Sequence, residues 1–258
     1  MSSIKKYQLM VVFLSLWTWN TATAQEERES KVYHFNGSLS ATNNGFSFIP
    51  TFSLGKPATI LDVSLGGDRF SFDPQFRFDL DGLKPWSFIF IWRYKLLNSD
   101  KFMLRLGTHL PAIAFSPTTI VENGVTKEKI TTKRYFTPEL TTTFKVNDRI
   151  SLGTYYIWGL GLEKIDQTKH THFIAFNLRV NTPLGGSLFV KWSPQTYYID
   201  LDGTGGFYAA HTLAFGHKEI PIVLATTMNK KLVSDLKTRD FDWNISLAYT
   251  FKNEFEKK

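Results

Sequence analysis

The stretch RDFDWNISLAYTF, residues 239–251, decides how this chain is read. Every second position from Phe241 gives Phe241, Trp243, Ile245, Leu247, Tyr249 and Phe251, and the positions between are Asp240, Asp242, Asn244, Ser246, Ala248 and Thr250. Successive side chains of a strand point to opposite faces, so one face here is apolar and aromatic and the other polar or small. Two surroundings accept that pattern. In a soluble sandwich the apolar row faces a protein core; in a membrane barrel it faces lipid.

The same order returns along the chain. In 69–80, Phe70, Phe72, Phe76, Phe78 and Leu80 oppose Arg69, Ser71, Asp73, Gln75, Arg77 and Asp79. In 84–96, Trp86, Phe88, Phe90, Trp92, Tyr94 and Leu96 share one side, with Arg93 and Lys95 on the other. Leu104, Leu106 and Leu110 oppose Arg105 and His109; Ile174, Phe176, Leu178 and Val180 oppose Asn177 and Arg179. Alternation over segments of about ten residues, with no convincing amphipathic helix, is the pattern of transmembrane strands. Turn chemistry punctuates it at Gly66-Gly67-Asp68, Asp81-Gly82, Asn147-Asp148, Gly185-Gly186 and Asp202-Gly203.

Twelve strands are predicted, at 45–54, 57–65, 69–80, 85–97, 101–115, 132–146, 149–163, 169–182, 186–200, 205–217, 220–231 and 239–252. The long connections, 116–131 above all, then fall at one end and the short turns at the other. Residues 25–43 are read as an extended periplasmic segment, 44–252 as the barrel and 253–258 as a tail.

The first residues carry Lys5 and Lys6, an apolar run from Leu9 to Trp17, and Ala22-Thr23-Ala24, the pattern of a cleaved export leader over 1–24. No later run is long and apolar enough for a spanning helix, so a membrane-spanning mature chain must cross as a closed barrel. The 258 residues contain no cysteine, which excludes a disulfide framework, a thiolate metal site and a cysteine nucleophile. The net charge is +7, and without Lys5 and Lys6 the balance is 28 basic to 23 acidic residues. The cations stand singly in alternating segments, with no basic block or helix face, so nucleic acid is not an expected partner.

The polar rows decide between sandwich and barrel. They hold Arg, Lys, Asp, Asn and Gly, which a wet interior accepts and a dry core does not. The apolar rows are rich in Phe, Trp and Tyr, as in the interfacial girdles of a lipid-facing belt. The expected fold is all-β, an antiparallel up-and-down transmembrane barrel. The leader, the alternating segments and the closing SLAYTF, residues 246–251, resemble the bacterial outer-membrane β-barrel proteins, which usually end on an aromatic-ended strand. The tail Lys252–Lys258 departs from that ending. The resemblance implies residence in the outer membrane of a Gram-negative bacterium, with its lipids as partners. Its size and strand count are similar to twelve-stranded porin-like channels for nucleosides or acidic oligosaccharides, and also to twelve-stranded outer-membrane phospholipases, so fold does not settle function.

The strongest candidate set is basic. Arg77, Arg93 and Arg105 lie on the polar faces of consecutive strands, and Arg179 and Lys191 on a later pair. Strands about 4.8 Å apart would set these side chains as a ladder on the lumen wall, attracting small anionic or polar solutes. The competing structural reading makes them braces for Asp73, Asp79, Glu139, Asp240 and Asp242. A closed structural or partner-binding barrel is the alternative to a channel, with Tyr155, Ile89 and Ile91 meeting in the middle.

A rim hydrolase is the third reading. Asp166, His170, His172, Asp200 and Asp202 lie near outer strand ends, and His109 and His211 in mid-strand, but no serine stands beside a lipid-facing histidine. His170-x-His172 lacks a third metal ligand, and Asp200-Leu201-Asp202-Gly203 is only a fragment of a calcium loop. No catalytic residue, metal or cofactor is therefore assigned. Pro50, Pro74, Pro111, Pro138 and Pro194 fall inside proposed strands and each requires an irregularity there.

Overall fold

The computed structural model describes residues 32–122, 125–164 and 167–256. The leader expected at 1–24, Asp166 and the last two residues lie outside them. Twelve antiparallel strands close into a barrel: β1 (Val32–Thr42), β2 (Ala58–Gly66), β3 (Phe70–Asp79), β4 (Pro85–Asn98), β5 (Phe102–Glu122), β6 (Val125–Lys145), β7 (Ile150–Gly161), β8 (His170–Gly185), β9 (Leu188–Leu201), β10 (Thr204–His217), β11 (Ile222–Ser234) and β12 (Phe241–Glu256). Each pairs with its neighbours in sequence, and β1 closes the ring on β12 from Val32↔Glu256 to Thr42↔Ser246. Closure leaves no free edge. Val32 and Glu256 lie at the end of the short turns, and the opposite end carries the long β1–β2 connection and the tall β5–β6 hairpin.

The count of twelve holds, but two segments exchange places. Residues 32–42, read as lying outside the barrel, form β1, hydrogen-bonded to both β12 and β2. Residues 45–54, read as the first strand, form a loop with a 3-10 turn at Pro50–Phe52. The apolar row of β1 is Tyr33, Phe35, Gly37, Leu39 and Ala41, and Gly37 and Ala41 weaken it. The glycine has a reason: the Asp62 carbonyl oxygen of β2 and the ring of Phe251 both crowd the place where a Cβ on Gly37 would sit, and Phe35 lies tilted against the same ring at 5.2 Å. The supposed tail from Lys252 to Glu256 continues β12 against β1, so it is strand. Gly37→Val is therefore expected to destabilise barrel closure by about 1–3 kcal/mol through overpacking. Its urea midpoint for refolding should drop, and Phe251→Ala in the same chain should recover only part of the loss, since the Asp62 carbonyl stays in place. An unchanged midpoint in Gly37→Val would mean that the β1–β12 seam is not packed as described.

Residues 116–131, read as a loop, extend the β5–β6 hairpin through Ser116↔Thr131 to Glu122↔Val125. Both faces of that extension are exposed, so no hydrophobic alternation marks it; its β-branched residues favour the strand. Lys84 holds it from the β3–β4 turn by a 2.8 Å ion pair to Glu128. Nearby, the Arg134 guanidinium donates to Glu163 at 2.7 Å and holds that carboxyl below the usual range.

The prolines sit at breaks, as their missing N–H demands. Pro111 lies in the register shift between His109 and Ala112, and Pro74, Pro138 and Pro194 each fall in a gap of the ladder on one side of their strand. A bulge opposite Arg77/Phe78 turns Trp86 inward, where it is 4% exposed, so Trp86 does not share the lipid-facing row assigned to it. Elsewhere the alternation holds. Every strand puts large exposed apolar side chains on the outside, among them Phe70, Trp92, Leu106, Leu140, Phe176, Trp192, Leu224 and Leu247. A continuous apolar belt of this kind suits lipid, not water.

Candidate functional site: the barrel lumen

Inward-facing rows supply the lumen, and the register sets which of their side chains meet. Arg93 on β4 lies opposite Gly107 on β5, and Gly107 lies opposite Glu139 on β6. A side chain at the middle position would separate the charges. A Cβ at Gly107 would meet Glu139 Oε1 at 2.8 Å, so the glycine is what lets Arg93 reach across a strand to Glu139.

Glu139 is the hub. Its side chain is fully buried and accepts from Arg93 Nε and Nη2, from Tyr155 Oη at 2.6 Å, and pairs with His109 Nε2 at 2.9 Å. Arg93 Nη1 also donates to Asp73 Oδ2 at 2.7 Å. Asp73 accepts in turn from Ser64 Oγ at 2.6 Å and Ser71 Oγ at 3.2 Å, and Ser64 pairs with His34 at 3.0 Å. The chain of bonds touches seven consecutive strands, β1 to β7. It satisfies the buried charges that the wall would otherwise carry unpaired.

Above this network, towards the long-loop end, the lumen is apolar. One cluster contains Ile157, Phe173, Ala175, Tyr197, Ile199, Tyr208 and Ala210. The facing one contains Ile89, Ile91, Ala112, Ala114 and Tyr135, with Phe52 from the β1–β2 loop. That loop folds into the barrel. Its neck is tied by Gly45 N–H to the Lys56 carbonyl and Leu54 N–H to the Gly45 carbonyl, both at 2.7 Å, and Asn44 Nδ2 anchors it to Asp242 at 2.7 Å. Its aromatic side chains reach both walls: Phe48 meets Tyr197 at 5.4 Å and Phe52 meets Tyr135 at 5.3 Å between ring centroids. Ile49 packs against both clusters and bridges the lumen. A cavity of about 290 Å³ lies beneath, lined by loop residues, by Arg77, Arg93, His109 and Tyr155, and by Gln75 and Gln195.

The basic residues divide. Arg93 is a brace, held by two carboxylates. Arg77 covers the Trp86 ring at 5.3 Å and donates to Gln75 at 2.8 Å. Arg105, Arg179 and Lys191, with Lys95 opposite Arg105, face the lumen nearer the short-turn end and form no ion pair among the described residues; Lys191 lies over the Phe189 ring. Of the acidic set, only Asp73 and Glu139 meet a candidate arginine. Asp79 lies 3.9 Å from Lys56, and Asp242 binds Asn44 and lies 3.5 Å from Arg239. Asp240 is not in the lumen: it precedes β12 at the exposed rim, paired with Lys231 at 2.7 Å.

The other candidates have structural employment. His170 stacks on Trp158 and His172 bonds Tyr156 Oη at 2.9 Å, both on the outer wall. Asp202 accepts the Lys169 and His170 amides, and Asp200 accepts the Gly203 amide, as turn residues do. His211 faces outward beside Pro194 and Met228. Among the described residues no group of three His, Asp or Glu side chains is placed to hold a metal. The inward loop and Gln195 were missed by sequence reasoning; Pro50 within 45–54 was the one signal against a strand there.

No protein-family model and no curated protein matches the chain. Among solved structures, the KdgM porin superposes with a TM-score of 0.50 at 11% identity, over 84% of this chain and 99% of that one. The NanC porin gives 0.49 at 10% identity, over 87% and 100%. OmpT of Vibrio cholerae gives 0.39 at 8% identity, over 87% and 99%. At such identity the likeness to the first concerns the fold, a porin-like twelve-stranded barrel.

Proposed function

We propose that this chain is a Gram-negative outer-membrane channel, exported by its leader, that passes small anionic or polar solutes through a net-basic lumen narrowed by the β1–β2 loop. The observation that carries the reading is the set Lys95, Arg105, Arg179 and Lys191, inward-facing and without ion pairs among the described residues, while Asp73 and Glu139 are already taken up by Arg93. Unpaired charge inside low-dielectric walls acts on passing ions more strongly than on an open surface. The apolar outer belt and the placement of Val32 and Glu256, the ends of the first and last strands, at the short-turn end support the outer-membrane setting.

The test is a reversal potential in a salt gradient across a planar bilayer. The wild-type pore is expected to prefer anions, less so as salt rises, since the screening length falls to about 10 Å at 0.1 M. Arg105→Gln with Arg179→Gln removes two charges and should move the potential towards that of a non-selective pore. Conductance with unchanged selectivity in this double variant would discard the basic lumen and keep the pore. A second reading, a closed barrel that binds without transport, draws support from one contact: Ile49 packs on both walls of the lumen.

A further inference from the structure

The lumen reading names only a charge. The cavity beneath the loop names a shape as well, and we infer that it binds a small amphipathic acid, one anionic group on an apolar or aromatic body, in place of a hydroxyl-rich sugar acid. This rests on the reading of the lumen as the solute site.

The large apolar side chains on the cavity are Phe48, Ile49, Phe52, Ile89, Ile91 and Phe173. At about 290 Å³ it lies at the small end of ligand sites, which are mostly apolar with a few placed polar groups. A sugar's hydroxyls would be desolvated against these side chains without partners. The polar groups on the cavity are unequal. Arg93, His109 and Tyr155 are committed to Glu139 and Asp73. Arg77 is different: it makes no ion pair among the described residues, and its buried Nε has no acceptor. Across the lumen, the buried Nε2 of Gln195 is likewise a donor without an acceptor. Among the residues that line the cavity the buried side-chain atoms without a partner are thus donors, one of them on a guanidinium, which fits a carboxylate. Asp62, diagonal to Arg77 across the β2–β3 pair and outside the cavity lining, keeps a buried oxygen without a partner, and its charge offsets part of that of Arg77, so a single anionic group is the best match.

The probe is 2-naphthoate, titrated calorimetrically into the full chain in nanodiscs with empty nanodiscs as the blank. Saturable one-site binding is expected. The neutral 2-naphthalenemethanol should bind at least about tenfold more weakly, as the loss of a charged hydrogen bond implies, and so should Arg77→Gln. Glucuronate has the charge without the apolar body and should also bind at least about tenfold more weakly. Arg77 packs on Trp86, so Ile49→Asp supplies a variant confined to the loop: a carboxylate in the roof should abolish naphthoate binding. Equal affinity for acid and alcohol, glucuronate binding as tightly as naphthoate, no saturable binding in the wild type, or unchanged binding in Ile49→Asp would each overturn the inference. Binding is read without conductance, so a non-conducting barrel that binds naphthoate would end the channel reading and leave this one standing.

Discussion

Glu139→Ala is expected to cost about 3–5 kcal/mol of barrel stability, the range for removing one partner of a buried charge network. The carboxylate is fully buried and serves Arg93, His109 and Tyr155 at once. Without it Arg93 keeps Asp73 but loses its second acceptor in a wall that water reaches poorly, and Tyr155 Oη loses its acceptor. Replacing all three charges, as in Arg93→Met with Glu139→Leu and Asp73→Asn, should cost distinctly less, because neither carboxylate that Arg93 holds is then left uncompensated. Urea titration of refolding in vesicles reads both. A loss under about 1 kcal/mol in Glu139→Ala would mean that the hub is solvated and the network does not brace the wall.

Leu247→Arg is expected to cost about 2–4 kcal/mol, because a cation on the lipid face is most expensive near the bilayer midplane. Leu247 lies midway along β12, pairs with Leu224 and Ala41, and is 54% exposed on the outside of the barrel. Phe241→Arg, at the rim end of the same row, should cost much less, since the arginine can reach the interface. The contrast within one strand is the informative quantity. Equal tolerance at both positions would mean that the exposed apolar row does not face lipid.

What was legible in the sequence follows from how strictly each segment obeys a period of two. β12 and β8 carry unbroken rows, Phe241 to Phe251 and Ile174 to Val180, and their inward and outward assignments stand. β1 was passed over because Gly37 and Ala41 interrupt its apolar row, and the need for Gly37 is visible only once Phe251 lies on it. The β1–β2 loop imitated a strand because Phe46, Phe48, Phe52 and Leu54 alternate, yet Phe48 and Phe52 serve as wedges for the lumen, with Pro50 opening a 3-10 turn among them. Trp86 was put on the wrong side by a bulge, which moves a residue by one place and so reverses its face. The basic set was legible as inward-facing. Its division into a braced Arg93 and Arg105, Arg179 and Lys191, which form no ion pair among the described residues, depends on register across strands, which a single sequence does not display.

The most direct test of the account is single-channel recording of the purified barrel beside a variant in which residues 46–54 are replaced by a short Gly-Ser linker. The loop joins β1 to β2 and contributes no strand, so the ring can close without it. A small, anion-preferring conductance is predicted for the wild type, and a several-fold larger one, still anion-preferring, for the variant, since Phe48, Ile49 and Phe52 no longer bridge the two walls. No conductance from either protein would contradict the account and leave a closed barrel in its place.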